Sequence, residues 1–101
     1  MVQVASAEHH RPCVLELGGK SPQIVFDDAD FDAALPVVVA GIVQNSGQTC
    51  SAGSRVLVQK SIFGAFTAAL AKRISNLVAG PHVKDLNCGP LISTKQLDRV
   101  Q

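Results

Sequence analysis

Hydrophobic and polar positions along this chain form patterns that predict a mixture of strands and helices. Three short, mostly apolar runs, at residues 13–17, 23–26 and 55–59, predict strands, because each has the length of a strand and is flanked by polar or turn-forming residues. A longer apolar stretch over residues 31–44 predicts a helix that is apolar on every side and therefore buried. Pro36 lies inside this stretch and is expected to bend the helix or delay its start.

Three further helices are predicted from spacing and capping signals. Residues 2–10 are small and helix-tolerant, and Pro12 follows them. Apolar residues recur at steps of three and four between residues 61 and 78, which indicates an amphipathic helix with Ser61 as its N-cap and residues 79–81 as its end. Ser93 is expected to cap a last helix that runs to Gln101.

The order of these elements defines the expected fold class. Strands that alternate with helices predict an α/β layer whose sheet is at least partly parallel. A group of carboxylates precedes the helix predicted over residues 31–44, and capping its free N–H groups is their simplest role. They are Asp27, Asp28, Asp30 and Asp32. Their spacing does not match a calcium-binding loop, so no metal site is expected.

The composition is unusually apolar for so short a chain. Of the 101 residues, 47% are hydrophobic and 17% are charged, whereas a soluble domain carries about 25% charge. A small domain also exposes a larger share of its surface than a large one. We therefore expect part of the apolar surface to need a neighbour, either another subunit or further chain.

The charge and the longest apolar run exclude two kinds of partner. The net charge is +1, and Lys72-Arg73 is the only basic cluster, so no nucleic acid is expected. The longest unbroken apolar run, residues 33–43, is shorter than the ~20 residues that a membrane span needs. Three cysteines at wide spacing favour a reducing compartment over a disulfide framework. With no signal-peptide pattern in the first residues, the cytoplasm is the expected location.

Cys50 is the first candidate for chemistry. It lies in a loop rich in Gly and Ser, residues 45–54, where small neighbours leave room for a substrate and for backbone N–H groups that could face an oxyanion. The alternative is that Cys50 is a small buried hydrophobic residue, and composition alone favours this alternative. Cys13 and Cys88 have only that second interpretation.

Glu16 is the second candidate. It is a carboxylate within a predicted apolar strand, where glutamate is uncommon and costly to bury, and a partly buried carboxylate suits a general base. The alternative, that Glu16 lies on a solvent-facing side of the strand, stays open. Gly18-Gly19 and the following Lys20-Ser21 lack the first glycine of a phosphate-binding loop, so a sharp turn is expected there instead.

Two segments together resemble the active-site motifs of the aldehyde dehydrogenase superfamily. Residues 15–22, LELGGKSP, resemble its glutamate motif, and residues 47–50, GQTC, with Asn45 before and Ser54-Arg55 after, resemble its cysteine motif. The two motif residues are 34 positions apart, as the family leads us to expect, and the similarity extends over residues 4–101. The remaining motif positions are expected to be scaffolding; they are Gly19, Lys20, Asn45, Gly47, Gln48 and Arg55.

The resemblance implies a fold and a division into domains. The expected fold is a fragment of the aldehyde dehydrogenase fold, with a Rossmann-like catalytic domain of mainly parallel strands flanked by helices. Residues 1–22 are expected to end the cofactor-binding domain and to carry the glutamate motif. Residues 23–101 are expected to be the N-terminal part of the catalytic domain and to carry the cysteine motif.

The resemblance also implies a reaction, NAD(P)-dependent oxidation of a small aldehyde to a carboxylic acid. Cys50 would attack the aldehyde and, after hydride transfer to NAD or NADP, carry a thioester that water activated by Glu16 hydrolyses. The Cys50 backbone N–H would help to bind the oxyanion, and the Leu17-Gly18 backbone would contact the nicotinamide. No metal is implied, and the full-length form is expected to be a homo-oligomer.

Two alternatives to this function stay open. One is a CoA-acylating or semialdehyde dehydrogenase of the same superfamily, although Glu16 favours hydrolysis. The other is a catalytically incompetent, truncated relic. Because family members are several times longer, most of the dinucleotide site is expected outside these residues. The 101 residues alone are therefore expected to have little or no turnover and to aggregate or stay loosely packed.

Overall fold

The computed structural model describes all 101 residues and contains four α-helices and two strands in the order α1, β1, α2, β2, α3, α4. Their bounds are α1 Val2–Glu8, β1 Pro22–Val25, α2 Phe31–Val43, β2 Arg55–Val58, α3 Phe63–Ser75 and α4 Thr94–Val100. Single 3₁₀ turns occupy Gln44–Gly47, Lys60–Ile62 and His82–Lys84. No helix is long and apolar enough to cross a membrane.

The two strands form a parallel pair joined through α2, which confirms the predicted α/β class. Pro22 lies opposite Arg55, and Val25 lies opposite Val58. Parallel neighbours need a long crossover connection, and α2 supplies it. The turn that carries Cys50 lies between α2 and β2, immediately before the amino end of β2.

The core lies on one face of this sheet, where α2 and α3 pack together. Four residues are buried there: Val25, Leu35, Val38 and Phe66. Phe66 is fully buried and meets Phe31 edge to face, with ring centroids 5.1 Å apart, a favourable aromatic geometry. The sheet's other face is uncovered, because Ile24 and Leu57 are about half exposed.

The capping predictions for two helices are confirmed. The Asp30 carboxylate accepts a hydrogen bond from the Asp32 N–H at 2.9 Å at the start of α2. The Ser93 hydroxyl accepts one from the Gln96 N–H at 3.3 Å at the start of α4. Both satisfy a backbone donor that would otherwise lack a partner at a helix start.

Helix α2 departs from its prediction in burial and in its start. Leu35 and Val38 are buried, but Val37 on another side is 68% exposed, because only one side of the helix packs against the sheet and α3. Pro36 lies in the second turn and does not delay the start, since α2 begins at Phe31.

Helix α3 is shorter than the apolar spacing predicts, beginning at Phe63 and ending at Ser75. Ser61 does not cap it. Its hydroxyl donates instead to the Asp27 carboxylate at 3.1 Å, beyond the end of β1.

The strand predicted over residues 13–17 is wrong. These residues form no regular structure, and Val14 and Leu17 are mostly exposed. A strand exists only where another strand accepts and donates its backbone hydrogen bonds, and no other strand lies beside this segment. The sharp turn predicted at Gly18-Gly19 is also wrong, because the chain makes no turn or bend at these residues.

Much of the apolar surface is uncovered by the chain itself, as the composition predicts. Only six residues are buried. The radius of gyration is 17.8 Å, whereas a compact domain of this length has about 13 Å. The chain is therefore extended, and its apolar side chains reach solvent along both termini and on the open face of the sheet.

Candidate active site

Cys50 lies at the exposed tip of a tight turn between α2 and β2. The Ala52 N–H donates to the Thr49 carbonyl at 3.0 Å, which closes the turn around Cys50 and Ser51. Cys50 is exposed, whereas Cys13 and Cys88 are half-buried. The alternative of a buried, purely hydrophobic Cys50 therefore does not describe this structure.

The backbone before the turn is held in an unusual conformation. Asn45, Ser46 and Gly47 are consecutive left-handed residues, with φ of 49°, 58° and 74°. Non-glycine residues adopt this region at a cost of about 1 kcal/mol or more each. Two hydrogen bonds stabilise this conformation. The Asn45 side-chain amide donates to the Gln48 carbonyl at 3.2 Å, and the Gln48 side-chain amide donates to the Asn45 carbonyl at 3.1 Å.

The left-handed stretch at residues 45–47 and the adjacent Gln48 are also hydrogen-bonded to a distant part of the chain. The Ser46 hydroxyl donates to the Gly89 carbonyl at 2.7 Å, and the Ile92 N–H donates to the Gln48 side-chain oxygen at 2.8 Å. Both bonds join segments more than 40 residues apart in sequence. The upstream end of the cysteine turn is therefore anchored to residues 89–92.

The downstream end is anchored to the core. The buried Gly53 donates its N–H to the Gly41 carbonyl of α2 at 2.9 Å. Its own carbonyl accepts from the Gln23 side-chain amide of β1 at 3.0 Å. The same amide donates to the Val38 carbonyl at 3.0 Å. The sequence motifs do not identify Gln23, and no signal in a single sequence distinguishes it from other polar strand residues.

The glutamate segment meets the cysteine turn through its backbone. A Cβ at Gly19 would lie 2.6 Å from the Cys50 carbonyl oxygen, so only glycine allows this approach. The Arg55 guanidinium donates to the Lys20 carbonyl at 2.8 Å, which fixes the segment to the start of β2. The structure thus brings the two sequence motifs together at Gly19 and Cys50.

Glu16 and its neighbours are less constrained. Glu16 and Leu17 are exposed, and the Glu16 carboxylate has no hydrogen-bond partner in the chain. Gly18 is open, because an added Cβ would meet no atom within 4 Å. No group of three or more His, Cys, Asp or Glu side chains is placed to hold a metal ion.

The site is an exposed cysteine turn on an α/β unit, set against a Gly-Gly segment. The profile of the aldehyde dehydrogenase family matches residues 1–101. The chain therefore belongs to the aldehyde dehydrogenase family.

Individual relatives agree with this assignment. The chain is 46% identical over 101 residues to an aldehyde dehydrogenase of Aspergillus niger, covering 99% of this chain and 20% of that protein. It is 48% identical over 100 residues to a betaine aldehyde dehydrogenase of Cereibacter sphaeroides, covering 98% of this chain and 21% of that protein. The chain thus spans about a fifth of the length of these relatives.

A solved structure confirms the fold. The NAD⁺ complex of an aldehyde dehydrogenase from Bacillus cereus superimposes with a TM-score of 0.87 at 43% sequence identity. The match covers 98% of this chain and 20% of that one. The predicted aldehyde dehydrogenase fold is therefore confirmed for nearly all of these residues.

Proposed function

We propose that the product of the complete reading frame containing these residues oxidises a small aldehyde to a carboxylic acid with NAD or NADP. Cys50 is the nucleophile in this proposal and Glu16 is the base. The observation that carries it is the exposed Cys50 on a turn anchored at both ends and touched by Gly19 of the glutamate segment. Family membership supports the same chemistry.

Cys50 performs the first step. Its thiolate sulfur bonds to the aldehyde carbon, and the carbonyl oxygen becomes an oxyanion. The backbone N–H of Cys50 donates to no acceptor within the chain, so it is free to stabilise that oxyanion. Small residues around the turn, among them Gly47 and Ala52, leave the sulfur open to a substrate.

The Leu17-Gly18 peptide would contact the nicotinamide. Leu17 is 70% exposed, and the space beside Gly18 is open. These residues therefore fit a flat ring resting against the backbone. When bound, NAD or NADP supplies the oxidation by accepting a hydride from the substrate carbon. The Bacillus cereus relative was solved with NAD⁺.

Glu16 would complete the reaction. Its carboxylate has no partner, so it is free to take a proton from water. The water oxygen then bonds to the acyl carbon, the carbon–sulfur bond breaks, and the acid leaves while Cys50 keeps the electron pair. A base at this position favours water over CoA as the acceptor of the acyl group.

The proposal extends to location and assembly. Three free cysteines support a reducing compartment, and we propose the cytoplasm. The uncovered apolar surface supports a homo-oligomer, in which further chain and sister subunits would cover it.

The test compares cysteine and glutamate variants of the complete reading frame. Cys50→Ala should lower aldehyde-dependent NAD(P)H formation by at least about a thousandfold, whereas Cys13→Ala and Cys88→Ala should retain it. Glu16→Gln should still acylate Cys50 but release acid slowly, so that the acyl-enzyme accumulates and is detected by mass spectrometry. Full activity of Cys50→Ala would refute the proposal. Formation of acyl-CoA in preference to acid when CoA is added would favour the CoA-acylating alternative.

The length of the complete reading frame also tests the other alternative, a catalytically incompetent, truncated relic. If it codes for these 101 residues alone, the relic becomes the correct assignment, and purified chain should show no turnover removable by Cys50→Ala.

A further inference from the structure

A side chain outside both motifs holds the turn that carries Cys50. Gln23 lies on β1 and is half-buried. Its amide nitrogen donates two hydrogen bonds of 3.0 Å, one to the Val38 carbonyl in α2 and one to the Gly53 carbonyl after the cysteine turn. Both amide protons are thereby used, and one side chain joins β1, α2 and the turn.

The Gln23 amide lies against two glycines, Gly41 and Gly53. A Cβ at Gly41 would lie 2.9 Å from the Gln23 side-chain oxygen. A Cβ at Gly53 would lie 2.5 Å from the Gln23 Cδ and would overlap the amide nitrogen. A side chain at either position would therefore displace the amide from its two hydrogen bonds.

A short stretch of hydrogen-bonded backbone connects the Gln23 side chain to Cys50. Gly53 follows Cys50 by three residues, and its N–H and carbonyl are both bonded, to Gly41 and Gln23. The intervening turn is closed by the bond from Ala52 to Thr49. We therefore expect a shift of the Gly53 carbonyl to move the Cys50 sulfur and its free N–H.

We propose that Gln23 is a positioning residue for the reaction at Cys50, an inference that rests on the proposed nucleophilic role of that cysteine. Gln23 does not touch substrate. It fixes the downstream end of the turn, so that the sulfur and the Cys50 N–H keep the geometry that attack and oxyanion binding require. Its loss lowers turnover more than it weakens substrate binding.

Gln23→Met tests this, because methionine keeps the length of the side chain and removes both donors. Gln59→Met is the matched control. Gln59 lies after β2, and its side-chain amide also makes two hydrogen bonds. Its oxygen accepts from the Asp27 N–H at 3.1 Å, and its nitrogen donates to the Asp27 carboxylate. It belongs to the opposite end of the same sheet and contacts neither the cysteine turn nor Gln23.

Steady-state kinetics of the complete reading frame provide the main measurement. Gln23→Met is expected to lower kcat about tenfold, because small displacements of reacting groups have effects of that size or larger, while KM changes less than about twofold. Gln59→Met, compared at a temperature where both variants are folded, is expected to change neither. Equal kcat for the two variants, or a change in KM alone, overturns the inference.

Two further variants keep the inference testable if Gln23→Met does not fold. Gln23→Asn keeps the amide donor on a shorter side chain, and its kcat should fall with KM preserved. Gly41→Ala pushes on the same amide from α2, so its effect on kcat should be non-additive with that of Gln23→Asn. Unchanged kcat in Gln23→Asn, or additive effects, would contradict the inference.

The Cys50→Ala variant separates the two proposals. Retained activity in Cys50→Ala, or an inactive wild type, refutes the proposed function and the inference with it. A wild type that depends on Cys50, together with Gln23 and Gln59 variants of equal kcat, leaves the function standing and removes the inference alone.

Discussion

The two segments that carry the candidate catalytic residues are held very differently. The cysteine turn is fixed upstream by Ser46 and Gln48 and downstream by Gly53, which is buried against α2 and Gln23. The glutamate segment, residues 11–20, has no regular structure, and none of its N–H groups beyond Arg11 donates a hydrogen bond within the chain. Its backbone meets the cysteine turn at Gly19 and accepts a hydrogen bond from Arg55 at Lys20.

The difference shows what each role needs from its surroundings. A nucleophile and its oxyanion donor must be positioned to within a fraction of an ångström, and contacts within these residues provide that for Cys50. The backbone of Glu16 receives no such support here. Its placement relative to Cys50 depends on the close approach of Gly19, on the Arg55 hydrogen bond to the Lys20 carbonyl, and on whatever packs over residues 11–18.

Amide hydrogen exchange should show the largest contrast. The N–H groups of Ala52 and Gly53 are hydrogen-bonded, so we expect them to exchange at least about a hundredfold more slowly than those of residues 13–18. Mass-spectrometric exchange on the purified protein measures both segments in one experiment. Equal protection would mean that contacts outside these residues hold the glutamate segment as firmly as the turn.

Gly53→Ala should weaken the better-anchored segment. The new Cβ would lie 2.5 Å from the Gln23 Cδ, so the Gln23 side chain must move. It would then lose its hydrogen bonds to the Val38 and Gly53 carbonyls, at a cost of about 1–3 kcal/mol of unfolding free energy. Denaturant unfolding measures the change. Gly64→Ala is the control, because a Cβ there meets nothing within 4 Å and lies in α3, where alanine should stabilise by up to about 1 kcal/mol. Equal stability of the two variants would contradict the expected packing.

Gly19→Ala should separate the two segments and lower the free energy of unfolding less than Gly53→Ala does. Its Cβ would meet the Cys50 carbonyl, but the loosely held glutamate segment can move away, so we expect a loss of about 1 kcal/mol. Gly18→Ala, whose Cβ has open space, should stay within about 0.5 kcal/mol of wild type. Urea titration measures the unfolding free energy of both variants. A larger loss of stability for Gly18→Ala would contradict the close contact of Gly19 with Cys50.

Ser46→Ala should give the smallest effect. It removes one exposed hydrogen bond, to the Gly89 carbonyl, worth about 0.5–1 kcal/mol. Exchange in residues 88–92 should rise. Ser75→Ala removes a comparable bond to the Lys72 carbonyl within α3 and should leave exchange in residues 88–92 unchanged. The same increase in both variants would mean that the Ser46 bond does not anchor this segment.

Local signals in the sequence predicted the elements that depend on local interactions. Asp30 and Ser93 cap α2 and α4 as expected, because a cap is completed within three residues. The role of Ser61 at the start of α3 was predicted incorrectly, because its hydroxyl donates to Asp27 beyond β1. That hydrogen bond joins residues 34 positions apart, and spacing alone does not show it.

The sequence by itself determined the α/β class, a sheet that is at least partly parallel, and the two motifs, since periodicity, caps and motif spacing lie along the chain. Only the tertiary structure decided that residues 13–17 are not a strand, that Gly19 must be glycine beside Cys50, and that Gln23 holds the cysteine turn. Each of these depends on which backbone groups meet across long sequence separations. A strand, a close approach and a shared hydrogen bond all require a partner, and the partner's position is set by folding.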